Sequence, residues 1–269
     1  MVTPGEISFF NANGYLQVAS FLAPDHIDQL LSALEKLVAQ RRWFVEQSEL
    51  DANKEGIDPS REELSGREQN KIDGENVRVK YLLEQDPLFL DLLDYPPILP
   101  YIHEFLSKQP HFHASDAFWE VEPRERQPGW HRDGYDGGYG RFLPHIPLLQ
   151  LKIGYFLSDM TAPDQGNLMI VPGSHKTAAP PAAGQLEGFD TMPDAIQVCC
   201  PPGSCLMFHN ALWHTGGPML KADGKRIMLY YAYEHRWMLG NPEHWAYSDR
   251  FYQSLSPERR LMFHQFVFR

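Results

Sequence analysis

His131 and Asp133 stand two residues apart in Trp130-His131-Arg132-Asp133-Gly134, and His214 ends a second segment, Phe208-His209-Asn210-Ala211-Leu212-Trp213-His214, about eighty residues further on. Side chains at i and i+2 of an extended segment point to the same side, so His131 and Asp133 can face one metal ion while Arg132 points away. A histidine brought in from a distant strand would complete a facial set of two imidazoles and one carboxylate. That set holds non-haem iron(II) and leaves coordination positions open. An H-x-D alone is common by chance, so its weight here comes from its surroundings.

Between the H-x-D and the distal histidine runs Gly166-Asn167-Leu168-Met169-Ile170-Val171-Pro172-Gly173-Ser174-His175, and Gly203, Phe208, His214 and Arg226 follow in order. In these landmarks and their order the chain resembles the phytanoyl-CoA dioxygenase family of iron(II)/2-oxoglutarate oxygenases, across residues 75 to 235 and more loosely towards the N-terminus. The resemblance implies a mainly β fold with flanking α-helices, a double-stranded β-helix or cupin-like jelly roll. It implies iron(II) on His131, Asp133 and His214, with 2-oxoglutarate and dioxygen as cosubstrates. Succinate and carbon dioxide would leave as a C–H bond is oxidised, in the usual outcome to an alcohol.

The same resemblance implies roles for further residues. Arg226, twelve positions beyond His214, would grip the remote carboxylate of 2-oxoglutarate, a task suited to the guanidinium fork. A lysine that contacts the cosubstrate in the family is placed at Lys80, with Arg78 the neighbouring alternative. Tyr155 occupies the position of a family tryptophan beside 2-oxoglutarate, offering a hydroxyl in place of an indole N–H; a plain core aromatic is the competing reading. Many members carry a serine two positions after the distal histidine. Here Gly216 stands there, and Thr215 is the neighbour that could compensate. His175 belongs to the turn signature and is read as structural. Asp133 argues against the halogenating variants, which lack a carboxylate at that position. Desaturation, ring formation and epoxidation stay open beside hydroxylation.

Two other classes could use the same residues. A cupin-like metal dioxygenase or isomerase without 2-oxoglutarate would leave Arg226 without its task, and a non-catalytic binding module would have no use for an intact ligand set.

Positioning these groups takes one domain over residues 1–269. An N-terminal, largely helical flank (1–110) carries an acidic, polar stretch at 46–75, read as a loop or lid; a jelly-roll core spans 111–235 and a helical tail 236–269. Residues 6 to 22 read as a short extended segment around Gly14. Ile27, Leu30, Leu31, Leu34, Leu37 and Val38 form a helical stripe after Pro24. Asp86-Pro87 and Ser256-Pro257 are helix starts, and short strands with turn signals follow from residue 112. In Leu149–Leu157 the odd-numbered residues share one face; if that face lines the barrel, Tyr155 lies inside and Lys152 outside. Gly134–Phe142, four glycines among aromatics, is read as a loop over the metal lending Tyr135 or Phe142 to the substrate, with a plain glycine-rich turn as the competing reading.

Composition bounds the partners. With 35 acidic against 24 basic residues the formal charge is −11, which disfavours nucleic acid and leaves a small-molecule substrate. Cys199, Cys200 and Cys205 read as packed thiols of a reducing compartment. Neither a leader-like start nor an apolar run of about 18 residues appears, so a cytoplasmic protein with no membrane partner is expected. Substrate identity and oligomeric state stay open.

Overall fold

A computed structural model describes residues 1–54, 70–123, 126–133, 146–177, 181–182, 184–238 and 247–264. Ten strands are found among them: β1 Tyr15–Val18, β2 Asn70–Asp73, β3 Asn76–Lys80, β4 Pro110–Glu120, β5 Gln150–Phe156, β6 Leu168–Ile170, β7 Ile196–Gln197, β8 Cys205–His209, β9 His214–Gly216 and β10 Arg226–His235. They form a seven-stranded sheet, ordered β1-β8-β5-β10-β4-β3-β2, and a three-stranded sheet, β7-β6-β9. Every strand pairing is antiparallel.

Period-two alternation makes the large sheet a wall between two cores. Along β8, Cys205 and Met207 enter one apolar cluster and Leu206 and Phe208 the other. The inner cluster joins Phe156, Phe208 and Met228 to Leu168 and Ile170 of the small sheet. Two facing antiparallel sheets make the jelly roll.

The outer cluster packs against the helices α1 (Pro4–Asn13), α2 (Pro24–Lys54), α3 (Pro87–Asp91), α4 (Leu99–Phe105) and α5 (Asp249–Ser254), and a last short helix, α6 (Pro257–Arg260), follows. At five and seven residues α3 and α4 are too short to stand alone. Burial of Phe89 and Ile102, each contributing about 1.5–3 kcal/mol, holds them on the sheet. Two phenols complete the attachment: Tyr231 donates to the Phe89 carbonyl at 2.6 Å and Tyr233 to the Leu93 carbonyl at 2.8 Å.

Two expectations are corrected. Residues 4–13 are helical because Thr3 and Glu6 form a capping box with Pro4 in the first turn, and Gly14 ends the helix at φ 78°; only Tyr15–Val18 of the expected extended segment is strand. The polar stretch 46–75 is not all loop: α2 runs on to Lys54 and a β2–β3 hairpin begins at Asn70. Residues 55–69, the centre of the suggested lid, lie outside the described residues. Within the largely helical first 110 residues, β1 pairs with β8 and β3 with β4, so the large sheet also draws strands from this segment. Among the described residues no helix is long and apolar enough to cross a membrane.

Buried imidazoles give the fold a pH dependence. Burial, reinforced by His264 and Arg236, lowers His111 to about 4 from an ordinary 6.5. Burial, with His175 and Arg132, lowers His209 to about 3. A histidine depressed in the folded state takes up a proton on unfolding, so its contribution is present above 6.5 and is lost as pH falls towards the folded value. The metal-free, chelator-treated protein should therefore show a urea midpoint that declines steadily from pH 7 to pH 4.5. A flat profile across that window would contradict the burial of both rings.

Candidate metal centre

The His131 and His214 backbones face each other as a two-way hydrogen-bonded pair, N to O at 3.0 and 3.1 Å, which extends the small sheet by one segment. Direct pairing in the ladder brings two distant residues side by side, with ring centroids 4.2 Å apart. The Asp133 amide donates to the Asn210 carbonyl at 2.9 Å, fixing the turn that returns its carboxylate to the same place. One ligand atom from each of His131, Asp133 and His214 lies within 4.8 Å of the others, the one such group of histidine, cysteine and carboxylate found among the described residues.

The donor set fits a divalent transition metal. His131 Nδ1 contacts the Gly129 carbonyl at 2.7 Å and His214 Nδ1 the Leu212 carbonyl at 2.9 Å. A carbonyl can only accept, so each Nδ1 carries the proton and each Nε2 presents its lone pair. Burial lowers His214 to about 4, keeping the imidazole neutral. Burial works against ionisation of Asp133, yet nearby charge, the Lys152 ammonium foremost, holds it at about 2. Lys152 Nζ sits 3.4 Å from Asp133 Oδ2 and so fixes the orientation of the carboxylate.

Beyond the triad a cavity of about 370 Å³ continues between the sheets, lined by Phe208 and Leu168 and by a group of charged side chains. Arg226 Nη1 donates to Glu120 Oε2 at 2.9 Å, and both side chains are 4% exposed. Arg126 Nη2 binds the other oxygen, Glu120 Oε1. The Arg226 guanidinium lies over the Phe118 ring at 4.5 Å and hydrogen-bonds Tyr230, whose hydroxyl is pushed up to about 12 by burial. Arg226 Nε is buried with no acceptor among the described residues. A buried guanidinium with an unused donor, opening on a cavity beside three metal-ligand atoms, fits a cosubstrate that carries a carboxylate.

Residues 10–227 match the family described as phytanoyl-CoA dioxygenase (PhyH). The chain belongs to the phytanoyl-CoA dioxygenase family. Iron(II), 2-oxoglutarate and dioxygen are the cofactor and cosubstrates of that family. The uncharacterised proteins Rv1501 of Mycobacterium tuberculosis and Mb1539 of Mycobacterium bovis are each 26% identical over 153 residues, 56% of this chain and 54% of theirs. The chain thus matches about half the length of these curated relatives. Among solved structures, HygX from Streptomyces hygroscopicus with nickel, 2-oxoglutarate and hygromycin B bound superposes with a TM-score of 0.65 at 17% identity, covering 88% of this chain and 89% of that one. EctD from S. alaskensis with 2-oxoglutarate and 5-hydroxyectoine gives 0.64 at 17%, covering 87% and 76%. The carbocyclase SnoK gives 0.59 at 18%, covering 87% and 84%. At these identities the likeness is one of fold.

For this member of the phytanoyl-CoA dioxygenase family the structure brings His131, Asp133 and His214 together and sets Arg226 and Thr215 on the same cavity. Thr215 Oγ1 accepts from the Gly129 amide at 3.0 Å, supporting the segment that carries His131. Gly216 leaves room for Arg126: a Cβ built there would lie 2.2 Å from Arg126 Nη1. Tyr155 is a correction. It lies fully buried in the outer cluster, against the helices, and Lys152 takes the inner face. The sheet is covered on both sides, and the helices take its more apolar face. Lys80 is also corrected, because Arg78 and not Lys80 lines the cavity, paired to Asp116 at 3.0 Å. Tyr135 and Phe142 lie outside the described residues. Sequence reasoning missed Arg126, Glu120 and Tyr230 and misplaced Lys152. Only Lys152 had a signal: a lysine within an apolar central strand must face something other than core.

Proposed function

We propose that the protein is an iron(II)- and 2-oxoglutarate-dependent oxygenase that hydroxylates a C–H bond of a small molecule held between its two sheets. One observation carries the reading: three ligand atoms within 4.8 Å of one another open onto the cavity that also holds the buried Arg226 guanidinium. His131, Asp133 and His214 would hold the metal, the Nε2 of each histidine freed by its carbonyl-bound Nδ1. Arg226 receives the remote carboxylate of 2-oxoglutarate and thereby orients its oxo-acid end towards the triad. Phe208 and Leu168 keep that part of the cavity apolar, limiting water at the reacting groups. Arg78 and Asp116 supply polar contacts for the substrate. Iron(II), when bound, supplies dioxygen activation, so that R–H, 2-oxoglutarate and O2 become R–OH, succinate and CO2.

A small polar substrate agrees with the bound molecules of two proteins of like fold, hygromycin B in HygX and 5-hydroxyectoine in EctD. The net charge of −11 gives no footing to a polyanion, and a cytoplasmic setting with free thiols agrees with three unpaired cysteines.

The test is anaerobic addition of iron(II) and 2-oxoglutarate, read by the visible charge-transfer band of a bidentate oxo-acid complex. Succinate release across a panel of small molecules follows, with a product heavier by one oxygen. Iron binding without a band at millimolar 2-oxoglutarate would move the protein to the cupin-like class that does not use it.

A further inference from the structure

We propose that Arg126 is a second carboxylate-binding residue of the cosubstrate site and makes that site selective for oxo acids with a remote carboxylate. The assignment rests on the reading above, in which Arg226 receives that carboxylate.

Charge is the first argument. Arg226 is already paired with Glu120, and both are 4% exposed. A neutral pair offers little to an incoming anion, which would meet the Glu120 charge in a poorly screened interior. Arg126 binds the second oxygen of Glu120, so two of these three side chains are cations and one is an anion. A carboxylate arriving there gives two cations and two anions. Without Arg126 the same arrival would leave an excess negative charge buried.

Geometry is the second. A Cβ built on Gly216 would lie 2.2 Å from Arg126 Nη1 and 3.9 Å from Arg226 Nη1. The Arg126 guanidinium therefore occupies the space a side chain at 216 would take, beside that of Arg226. Arg226 Nε adds a buried donor without an acceptor. Gly216 belongs to the short strand β9, which begins at His214, so one stretch of backbone sets the span from metal ligand to cation pair. A bidentate oxo acid held at the triad would carry its far carboxylate towards that pair, and two guanidinium forks are a geometry that favours carboxylate.

The experiment measures the dissociation constants of 2-oxoglutarate and of 2-oxopentanoate, which lacks the remote carboxylate, by anaerobic charge-transfer titration of the iron(II)-loaded full chain. Arg126→Gln should weaken 2-oxoglutarate roughly 10- to 100-fold, the cost of one charge-assisted contact, and leave iron(II) affinity and 2-oxopentanoate within about twofold. Arg126→Lys, which keeps the charge without the fork, should recover part of the loss. Unchanged 2-oxoglutarate binding in Arg126→Gln overturns the assignment, as does an equal loss for both oxo acids, which would mark a general structural role. A wild-type protein that binds iron(II) but neither oxo acid overturns the proposed function, and this assignment with it.

Discussion

Asp133→Asn should lower divalent-metal affinity by roughly 100- to 1,000-fold while leaving the fold intact. The substitution keeps the shape of the side chain and removes its charge. Asp133 is the one anion of the triad, and Lys152 Nζ lies 3.4 Å from it. With asparagine in place, that ammonium stays partly buried beside the metal position and opposes any incoming cation. The missing anionic ligand and the ammonium left unopposed should together cost metal binding about 3–4 kcal/mol, and each factor of ten in affinity is about 1.4 kcal/mol. Titration with iron(II) or manganese(II), alongside circular dichroism, measures both parts. Adding Lys152→Met should restore some of the lost affinity, because it removes the repulsion. Wild-type affinity in the single variant would mean that the carboxylate is not a ligand.

Arg226→Met has the second large effect, and it falls on stability and cosubstrate binding together. Glu120 would keep Arg126 but lose its buried partner at 2.9 Å. We expect a loss of about 3 kcal/mol, or roughly 5–10 °C in Tm, and no charge-transfer band at accessible 2-oxoglutarate concentrations. A second change separates the two consequences. Glu120→Gln added to Arg226→Met removes the buried charge that has lost one of its two partners and should return part of the Tm without returning the band. Recovery of both would show that Arg226 serves the fold alone.

Local chemistry was readable wherever it was written within a few residues. The H-x-D spacing and the twelve-residue offset to Arg226 name groups that the structure places on one cavity, and Asp86 caps α3 through the Leu88 amide as its type and place implied. What failed was choice of side. Alternation in Leu149–Leu157 shows that β5 has two faces, but both are covered, one by helices and one by the small sheet. Apolar character then marks the helical side, which is why Tyr155 went astray and Lys152 with it. Arg226 and Glu120 are 106 positions apart. Their pairing follows from the β4–β10 register, in which the two residues are direct partners, and no local pattern encodes a register. The helix at Pro4–Asn13 was legible in Thr3-x-x-Glu6 and was overlooked beside the stronger extended signal after Gly14.

The short strand β1 has a consequence for how the protein behaves outside its native state. β8, Cys205 to His209, is buried at all five positions, and β1 is its neighbour on the outer side. Four residues of β1, with Gln17 Nε2 donating to the Cys199 carbonyl at 3.3 Å, are what keep an apolar, uncharged run from presenting open backbone to solvent. A chain cut back to the start of α2 would expose that run as an edge able to recruit copies of itself, so aggregation, ahead of any loss of chemistry, is the failure expected of an N-terminally trimmed form.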